Sequence, residues 1–475
     1  MVKEMLFNSP LFLFVFSPIM LAVYFTVNRK YKNFVLLFSS LVFYAWAEPR
    51  FIWVLLGSAL LDYWLGQIIA NNEKRIAKLA MIIGIIGNVG ILGYFKYTNF
   101  LMDNLNHILL TINSSFSLPV LQILLPVGVS FVVFEKITYL VDIYRQVGKT
   151  APGILNYLVY VFLFPKLLAG PIVKYHDIED QLVGRSETLK DIVCGVKRFC
   201  YGLAKKVFIA DTMGEMADLI FALPANDIGF GAAWLGAICF TLQIYFDFSG
   251  YSDMAIGLCR IFGFRILENF RTPYISKNFT EFWRRWHISL STWIRDYLYI
   301  SMGGNRVTRS RMYFNLWVCF LLSGLWHGAS WTFVVWGAYH GFFLIMDKLF
   351  WLDMQKRLPS IINWTITMLF VIVGWVIFRA DSIHQAWSFV LTMLNPWAQT
   401  SQLIYVPNNV WFFIVVGIVL SLAPILPRIK IINQKAEVIL KYGRQLELGL
   451  VVVIFLITIT KISAVTFNPF LYFRF

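Results

Sequence analysis

The chain has 475 residues, of which 59% are hydrophobic and only 14% are charged, and its mean hydropathy is +0.67. Soluble domains are about half apolar and about a quarter charged, so this composition excludes a soluble protein and predicts an all-α polytopic membrane protein. The net charge of +15 does not indicate nucleic-acid binding, because the basic residues lie in short loops between apolar runs, as membrane orientation requires.

Apolar runs that reach or approach the length of a bilayer recur along the whole chain. They lie around residues 9–28, 34–47, 51–71, 79–94, 117–143, 152–173, 207–222, 229–247, 312–345, 361–378, 408–426 and 447–466. Some are short or interrupted by Gly and Pro, so we expect about eleven transmembrane helices together with re-entrant or interfacial helices. The first run lacks a small-residue cleavage site, which favours a retained span over a signal peptide. No linker or repeat divides the chain, which predicts one integral membrane domain, 1–475, with a catalytic core at about 120–345.

Basic residues suggest the orientation of the first helices. The loops at 29–32 and 74–78 are basic and are separated by two apolar runs, so both are predicted to be cytoplasmic. A later stretch, 186–211, mixes basic and apolar residues and predicts an interfacial helix. Its cations would contact anionic headgroups or, as the alternative, a phosphorylated substrate such as a CoA. Those cations are Lys197, Arg198, Lys205 and Lys206.

No metal site or disulfide framework is expected. The five cysteines show no CxxC pairing and lie in or beside apolar segments, as small buried side chains do. No pair of His, Asp or Glu residues has metal-ligand spacing on a helix.

Residues 278–340 join an amphipathic half that carries His287 to an apolar half. Asn278 and Glu281 form a capping-box pattern, and aromatic residues then recur at i, i+3, i+4 and i+7, which predicts a helix. This helix is too charged to span a bilayer, so we expect it at an interface, with His287 at the lip of a polar cavity. An interfacial helix whose histidine only reaches toward water is an equal alternative.

His327 lies near the middle of the apolar run 312–345. An ionisable side chain inside a membrane segment is costly unless it is used or partnered. Gly324 and Gly328 remove bulk beside it, so that a substrate or another helix can approach, and Ser323 lies one turn earlier. A neutral buried imidazole is suited to accept a proton, which makes His327 the candidate general base; a structural histidine that bonds two helices is the alternative. No role is expected for His107, His176, His340 or His384.

Three further apolar segments, 125–136, 164–171 and 243–253, contain polar residues and look like broken helices. Broken helices at membrane depth are tolerated only where they are buried in protein or line a cavity. The segments therefore predict an internal cavity without identifying its contents.

These motifs resemble the membrane-bound O-acyltransferase family, in particular its alginate O-acetyltransferase branch, over most of the chain. The similar stretches are GYFKYTNF at 93–100, LPVGVSF at 125–131, YLVDIYR at 139–145, FPKLLAGPIVKY at 164–175, YFDFSGYSDMAIG at 245–257, RTPYISKNFTEFWRRWHISLSTWIRDYLYISMGGNR at 271–306, SGLWHGASWTFVVWGAYHG at 323–341 and the closing NPFLYFRF.

The resemblance implies a ring of spanning helices around a central funnel in the inner membrane of a bacterial cell. It implies that His327 is the family's catalytic histidine and His287 its second active-site histidine. The implied donor is acetyl-CoA, with no bound cofactor, and the implied acceptor is an exported polysaccharide. A periplasmic partner protein with its own hydrolase-like active site often completes delivery in this branch. Membrane lipid is the remaining expected partner.

Three other functions remain open. Within the family, the chain would transfer D-alanine from a carrier protein to teichoic acid, although its long C-terminal half favours the acetyl branch. Outside the family, it would be a transporter of a lipid-linked glycan, for which inverted repeats are expected and none is evident in the sequence. It would otherwise be a scaffold that recruits a soluble acetyltransferase, and neither histidine would then matter.

Overall fold

A computed structural model of the chain describes residues 5–112, 116–119, 121–224, 227–400, 404–423, 436–464 and 470–471, with side chains of the last helix from 445 onward. Within these ranges the backbone forms helices, turns and loops and no strand, which confirms the all-α prediction there. The α-helices are α1 (Ser17–Thr26), α2 (Lys32–Ala47), α3 (Ile52–Asn71), α4 (Lys74–Leu92), α5 (Thr98–Thr111), α6 (Val129–Tyr144), α7 (Ile154–Phe162), α8 (Phe164–Leu167), α9 (Tyr175–Val183), α10 (Leu189–Ala204), α11 (Asp211–Phe221), α12 (Phe230–Ile261), α13 (Phe279–Arg285), α14 (Ile288–Trp293), α15 (Arg309–His327), α16 (Trp331–Met346), α17 (Leu352–Met354), α18 (Ser360–Arg379), α19 (Ile383–Leu394), α20 (Asn408–Leu422) and α21 (Ala436–Ala464).

Among the described residues, six helical stretches are long and apolar enough to cross a membrane. They are Ile52–Asn71, Lys74–Thr111, Phe230–Ile261, Trp331–Arg357, Ser360–Arg379 and Gln445–Ala464. Large apolar side chains such as Trp53 and Ile86 point outward from these stretches, being 73% and 66% exposed, as lipid-facing residues are. A helical membrane protein is therefore confirmed, whereas the total of about eleven spans and the central funnel remain predictions.

The chain divides into two compact units. Unit 1 comprises Met1–Val193, Leu258–Leu267 and Gly328–Ser330, and unit 2 comprises Cys194–Gly257, Glu268–His327 and Trp331–Phe475. The prediction of one membrane domain with a core at about 120–345 is not tested by this division and remains a prediction.

Buried charges in unit 1 pair across helices. Lys136 of α6 contacts Asp62 of α3 at 3.1 Å, and Asn88 of α4 donates to the same carboxylate at 2.9 Å. Glu135, the neighbour of Lys136, pairs with Lys166 of α8. All four charged side chains are at most 2% exposed, so their mutual attraction must offset the cost of removing them from water. These charges therefore serve packing within unit 1.

Two of the three predicted helix breaks are present. The extended segment before α6 ends at Gly128, which has a φ of 76°, a value that glycine adopts without steric cost. The second break lies at Leu163, between α7 and α8. Residues 243–253, by contrast, lie within the uninterrupted α12. The prediction of a break there is wrong, because the carboxylates of this helix find cationic partners without any interruption of the backbone.

Those partners are the basic residues of α10 and of the π-helical turn that follows it. Each of the four cations pairs with a carboxylate of unit 2, and the contact with headgroups or a phosphorylated substrate stays a prediction. The pairs are Lys197 with Glu447 at 2.6 Å, Arg198 with Asp253 at 2.9 Å and with Glu268, Lys205 with Asp253 at 2.6 Å, and Lys206 with Asp211 and Asp247, both at 2.7 Å.

Of the closing motif at 468–475, only Phe470 and Leu471 fall inside the described residues. The Leu471 N–H donates to Asp247 at 2.8 Å, and the ring of Phe470 lies 5.0 Å from that of Tyr251. The remainder of that motif lies outside the described ranges.

The apolar run 312–345 forms two helices, α15 and α16, which pack as a hairpin. A methyl group at Gly324 would collide with the carbonyl oxygen of Phe333, and one at Gly337 would collide with that of Phe320, so the two backbones are in direct contact. The prediction that Gly324 permits a close approach is confirmed, and the element that approaches it is α16. The apolar run is therefore not one continuous helix, because the chain turns at residues 328–330, directly after His327.

Candidate active site

His287 lies in a break between two short helices. α13 begins as predicted, with the Asn278 side chain accepting the Glu281 N–H at 2.6 Å, but it ends at Arg285. His287 then adopts a left-handed conformation, with φ of 43°, and serves as the N-cap of α14. The expected continuous helix through this histidine is therefore wrong.

The break is set by Asn269, a residue that the sequence analysis did not single out. Its backbone carbonyl accepts the Ile288 N–H at 2.9 Å, and its side-chain oxygen accepts the N–H and hydroxyl of Ser289 at 3.2 and 2.9 Å. The side-chain amide of Asn269 in turn donates to Ser252 at 3.1 Å. The first N–H groups of α14 thus find acceptors in a distant loop, which makes a new helix start possible there. A single asparagine in a loop is a weak sequence signal for such a role.

The imidazole of His287 is neutral and has a defined proton position. The side chain is fully buried, and burial lowers the pKa of His287 to about 3. Its Nδ1 accepts the Leu290 N–H at 3.3 Å, so the single proton of the neutral ring lies on Nε2. His287 therefore presents an Nε2–H donor from the protein interior, which corrects its predicted position at the lip of a cavity.

His327 ends α15 and is 7% exposed. Its ring centroid lies 6.4 Å from that of His287, with the ring planes at 68° to each other. The fold thus brings together two predicted site residues that are far apart in sequence. The C-terminal end of a helix carries partial negative charge, so the position of His327 at the end of α15 favours a protonated imidazole more than a position in the middle of a helix would.

Aromatic rings surround the two histidines. Trp326, Trp336 and Phe378 contact His327 with ring centroids at 5.0, 5.1 and 5.4 Å, and Phe248 contacts His287 at 4.6 Å. Such a wall limits access of water, which strengthens the electrostatic interactions that a reacting group would make there.

His340, for which no role was expected, belongs to the same wall. Its ring is fully buried, 4.7 Å from that of Trp336 and 5.1 Å from that of Trp283. Within the described residues, neither nitrogen of His340 nor the indole N–H of either tryptophan has a hydrogen-bond partner. Buried polar groups are normally bonded to protein or water, so four unpartnered nitrogens in the ring cluster around His327 are unusual for a protein interior.

The other histidines lie elsewhere. His107 and His384 are exposed, and His176 contacts Asp142 in unit 1 at 2.8 Å. Over the ranges that the structure describes, no three His, Cys, Asp or Glu side chains are grouped as metal ligands.

Residues 91–420, a range that holds both site histidines, match the membrane-bound O-acyltransferase family. The chain belongs to this family. The resemblance and the O-acyltransferase activity predicted from the motifs are thereby confirmed, and a membrane-embedded enzyme agrees with the apolar helices of the fold.

Three relatives show how far the similarity extends. A protein of Pseudomonas putida named probable alginate O-acetylase is 41% identical, with 99% of this chain and 100% of the relative covered. A peptidoglycan O-acetyltransferase of Helicobacter pylori is 37% identical, with 80% of this chain and 78% of the relative covered. A teichoic acid D-alanyltransferase of Bacillus subtilis is 30% identical, with 54% of this chain and 69% of the relative covered.

Proposed function

We propose that this enzyme, in the inner membrane of a bacterial cell, moves an acetyl group from cytosolic acetyl-CoA towards the hydroxyls of an exported, alginate-like polysaccharide. The observation that carries the proposal is the pairing of His287 and His327, 6.4 Å apart in an aromatic enclosure. The names of the two O-acetylating relatives support an acetyl donor and a glycan acceptor.

In this proposal His327 is the general base. It takes the proton of the acceptor hydroxyl while the hydroxyl oxygen attacks the thioester carbonyl carbon. When the tetrahedral intermediate collapses, the carbon–sulfur bond breaks and the CoA thiolate takes the proton back from His327. General base catalysis of this kind contributes about 10²–10⁴-fold, and the position of His327 at the end of α15 supports the transient imidazolium.

His287 is the hydrogen-bond donor to the developing oxyanion. A donor in this role has to carry an N–H group. The buried neutral ring of His287, with its proton on Nε2, meets that requirement. A fixed donor in a dry site needs little reorganisation during the reaction, which is why such donors stabilise oxyanions effectively.

The proposed membrane arrangement includes about eleven spans around a central funnel. The six long apolar stretches would supply part of that ring, with shorter apolar helices such as Phe12–Thr26 and Asn408–Leu422 supplying more. In this arrangement the donor enters from the cytosol, and a periplasmic acetyltransferase partner receives the acetyl group for delivery to the polysaccharide.

The second candidate within the family is D-alanyl transfer to teichoic acid. The D-alanyltransferase relative aligns with 54% of this chain, whereas the alginate O-acetylase relative aligns with 99%, which includes the long C-terminal part. This difference favours the acetyl branch.

The test uses the purified full chain in nanodiscs with radiolabelled acetyl-CoA, envelope polysaccharide and periplasmic extract. Release of CoA and label in polysaccharide are measured for the wild type, His327→Ala and the control His384→Ala, whose histidine is exposed. We expect His327→Ala to lose at least about 10²-fold in turnover, with an unchanged melting temperature, and the control to match the wild type.

Equal turnover in His327→Ala and wild type would refute the base assignment. Wild-type protein that turns over a D-alanyl carrier thioester but not acetyl-CoA would favour the second candidate. Glycan transport without acyl transfer would assign the chain to the transporters, and acyl transfer that depends only on a soluble enzyme in the extract would make it a scaffold.

A further inference from the structure

A basic cleft lies in unit 1 at the turn between α1 and α2. It encloses about 470 Å³, which falls within the usual size of a small-molecule site. Four cations and one carboxylate line it, which leaves a formal charge of +3. These residues are Arg29, Lys30, Lys32, Arg185 and Glu187.

Arg185 is held in place before any ligand binds. Its guanidinium donates to the side-chain oxygen of Asn33 at 2.7 Å and lies 4.4 Å from the ring of Phe264. Asn33 is itself fixed, because its amide donates to Asn156 at 2.7 Å and to the Leu182 carbonyl at 2.8 Å. A guanidinium that is already oriented loses little freedom when it binds an anion.

Most of the positive charge in this cleft is not neutralised by the protein. Lys32 pairs with Glu187 at 2.9 Å, whereas Arg29, Lys30 and Arg185 form no ion pair with any carboxylate among the described residues. Lys197 and Arg198 of α10 offer the opposite case, since each is matched by a carboxylate of the protein. Like charges gathered at one cavity repel one another, and an anion with several oxygens relieves that repulsion.

We propose that this cleft binds the phosphate groups of a ligand at the cytoplasmic face. The loop at 29–32 is predicted to be cytoplasmic, where two sources of such groups are present. One is the phosphorylated nucleotide part of the CoA donor, and this source rests on the proposed function. The other is the headgroup of an anionic phospholipid, which does not depend on it.

The test compares Arg29→Gln/Lys30→Gln with the control Lys74→Gln/Arg75→Gln. Both pairs are exposed and lie in or beside loops predicted to be cytoplasmic, so the variants remove equal charge with little effect on packing. The full chain is placed in nanodiscs of phosphatidylcholine, and binding of radiolabelled acetyl-CoA and of 3′-dephospho-CoA is measured by equilibrium dialysis. A second set of nanodiscs contains phosphatidylglycerol, and the lipid retained by the protein is measured by native mass spectrometry.

We expect the affinity of the cleft variant for one of these ligands to fall by about tenfold for each lost charge-assisted hydrogen bond. The control variant should bind both ligands as the wild type does. Weaker acetyl-CoA binding with unchanged phosphatidylglycerol identifies the donor as the source, and the reverse identifies the lipid. Unchanged binding of both, relative to the control, would overturn the proposal. Failure of the wild type to transfer acetyl groups would count against the proposed function only, because the lipid measurement still decides the cleft.

Discussion

The buried ion pairs of unit 1 and the surroundings of His327 in unit 2 accommodate polar groups in different ways. In unit 1, buried charges such as Lys136 and Asp62 meet an opposite charge on another helix. In unit 2, the polar groups beside His327 are neutral imidazoles and indoles enclosed by aromatic rings, and those of His340 and Trp336 have no hydrogen-bond partner among the described residues.

This difference separates buried polar groups that stabilise the fold from buried polar groups that are able to bind a reacting group. A fully matched ion pair fixes two helices and has little capacity left for a ligand. A neutral donor or acceptor in an aromatic enclosure contributes little to packing and keeps its hydrogen-bonding capacity for a reacting group. Substitutions in unit 1 are therefore expected to reduce stability, and substitutions at the histidines to reduce turnover.

The largest expected effect is on the Glu135–Lys166 pair. Lys166→Met leaves Glu135 buried without its cation, which should reduce the free energy of unfolding by about 3–5 kcal/mol in detergent titrations. Glu135→Leu/Lys166→Met removes both charges and should recover most of that loss. The control is Lys356→Met, whose partner Asp353 is exposed, and its stability should equal that of the wild type. A single variant as stable as the double would remove the distinction drawn between the units.

A smaller effect separates the two roles of His287. Asn tolerates the left-handed backbone and caps α14 with its side-chain oxygen, but it has no group at the position of Nε2. His287→Asn should therefore stay folded and lose about 10²–10³-fold in turnover, the usual cost of removing an oxyanion donor. His287→Gln places an amide N–H near the Nε2 position, so it should regain part of the turnover while losing stability at the cap. Wild-type turnover in His287→Asn would restrict this residue to a capping role.

The smallest expected effect is a pH dependence of stability. The pKa of His287 is about 3 in the folded protein and about 6.5 when unfolded. Its contribution to the free energy of unfolding is therefore complete above about pH 6.5 and is lost as the pH falls below that value. The loss should approach about 1.4 kcal/mol for each pH unit. Melting temperatures of wild type and His287→Asn between pH 7 and pH 5 provide the measurement. Other groups titrate in both proteins, so only a difference between the two curves of melting temperature against pH reports on His287. Parallel curves would show that His287 is not held neutral by the fold.

Local signals in the sequence predicted local structure well. The cap at Asn278, the interruption at Gly128 and the close approach at Gly324 depend on residues within a few positions, and all three are present. His327 was singled out as a candidate because an ionisable side chain within an apolar run is itself a local signal.

What escaped prediction depends on residues far apart in the chain. The break at His287 requires the acceptors of Asn269, and the carboxylates of the uninterrupted α12 require cations from α10 and from the turn that follows it. Aromatic periodicity continues through Trp286 and carries no trace of either contact. His340 was assigned no role because it lies at the far end of the apolar run 312–345.

The contact between Gly324 and Gly337 has a consequence for how such enzymes diversify. Backbone touches backbone there, so a side chain added at either glycine would push α15 away from α16. His327 lies three residues beyond Gly324, so the hairpin holds it in place. If His327 is the base, as proposed, a change of acceptor or acyl group would have to come from remodelling of the surrounding rings and loops, with the base left in position.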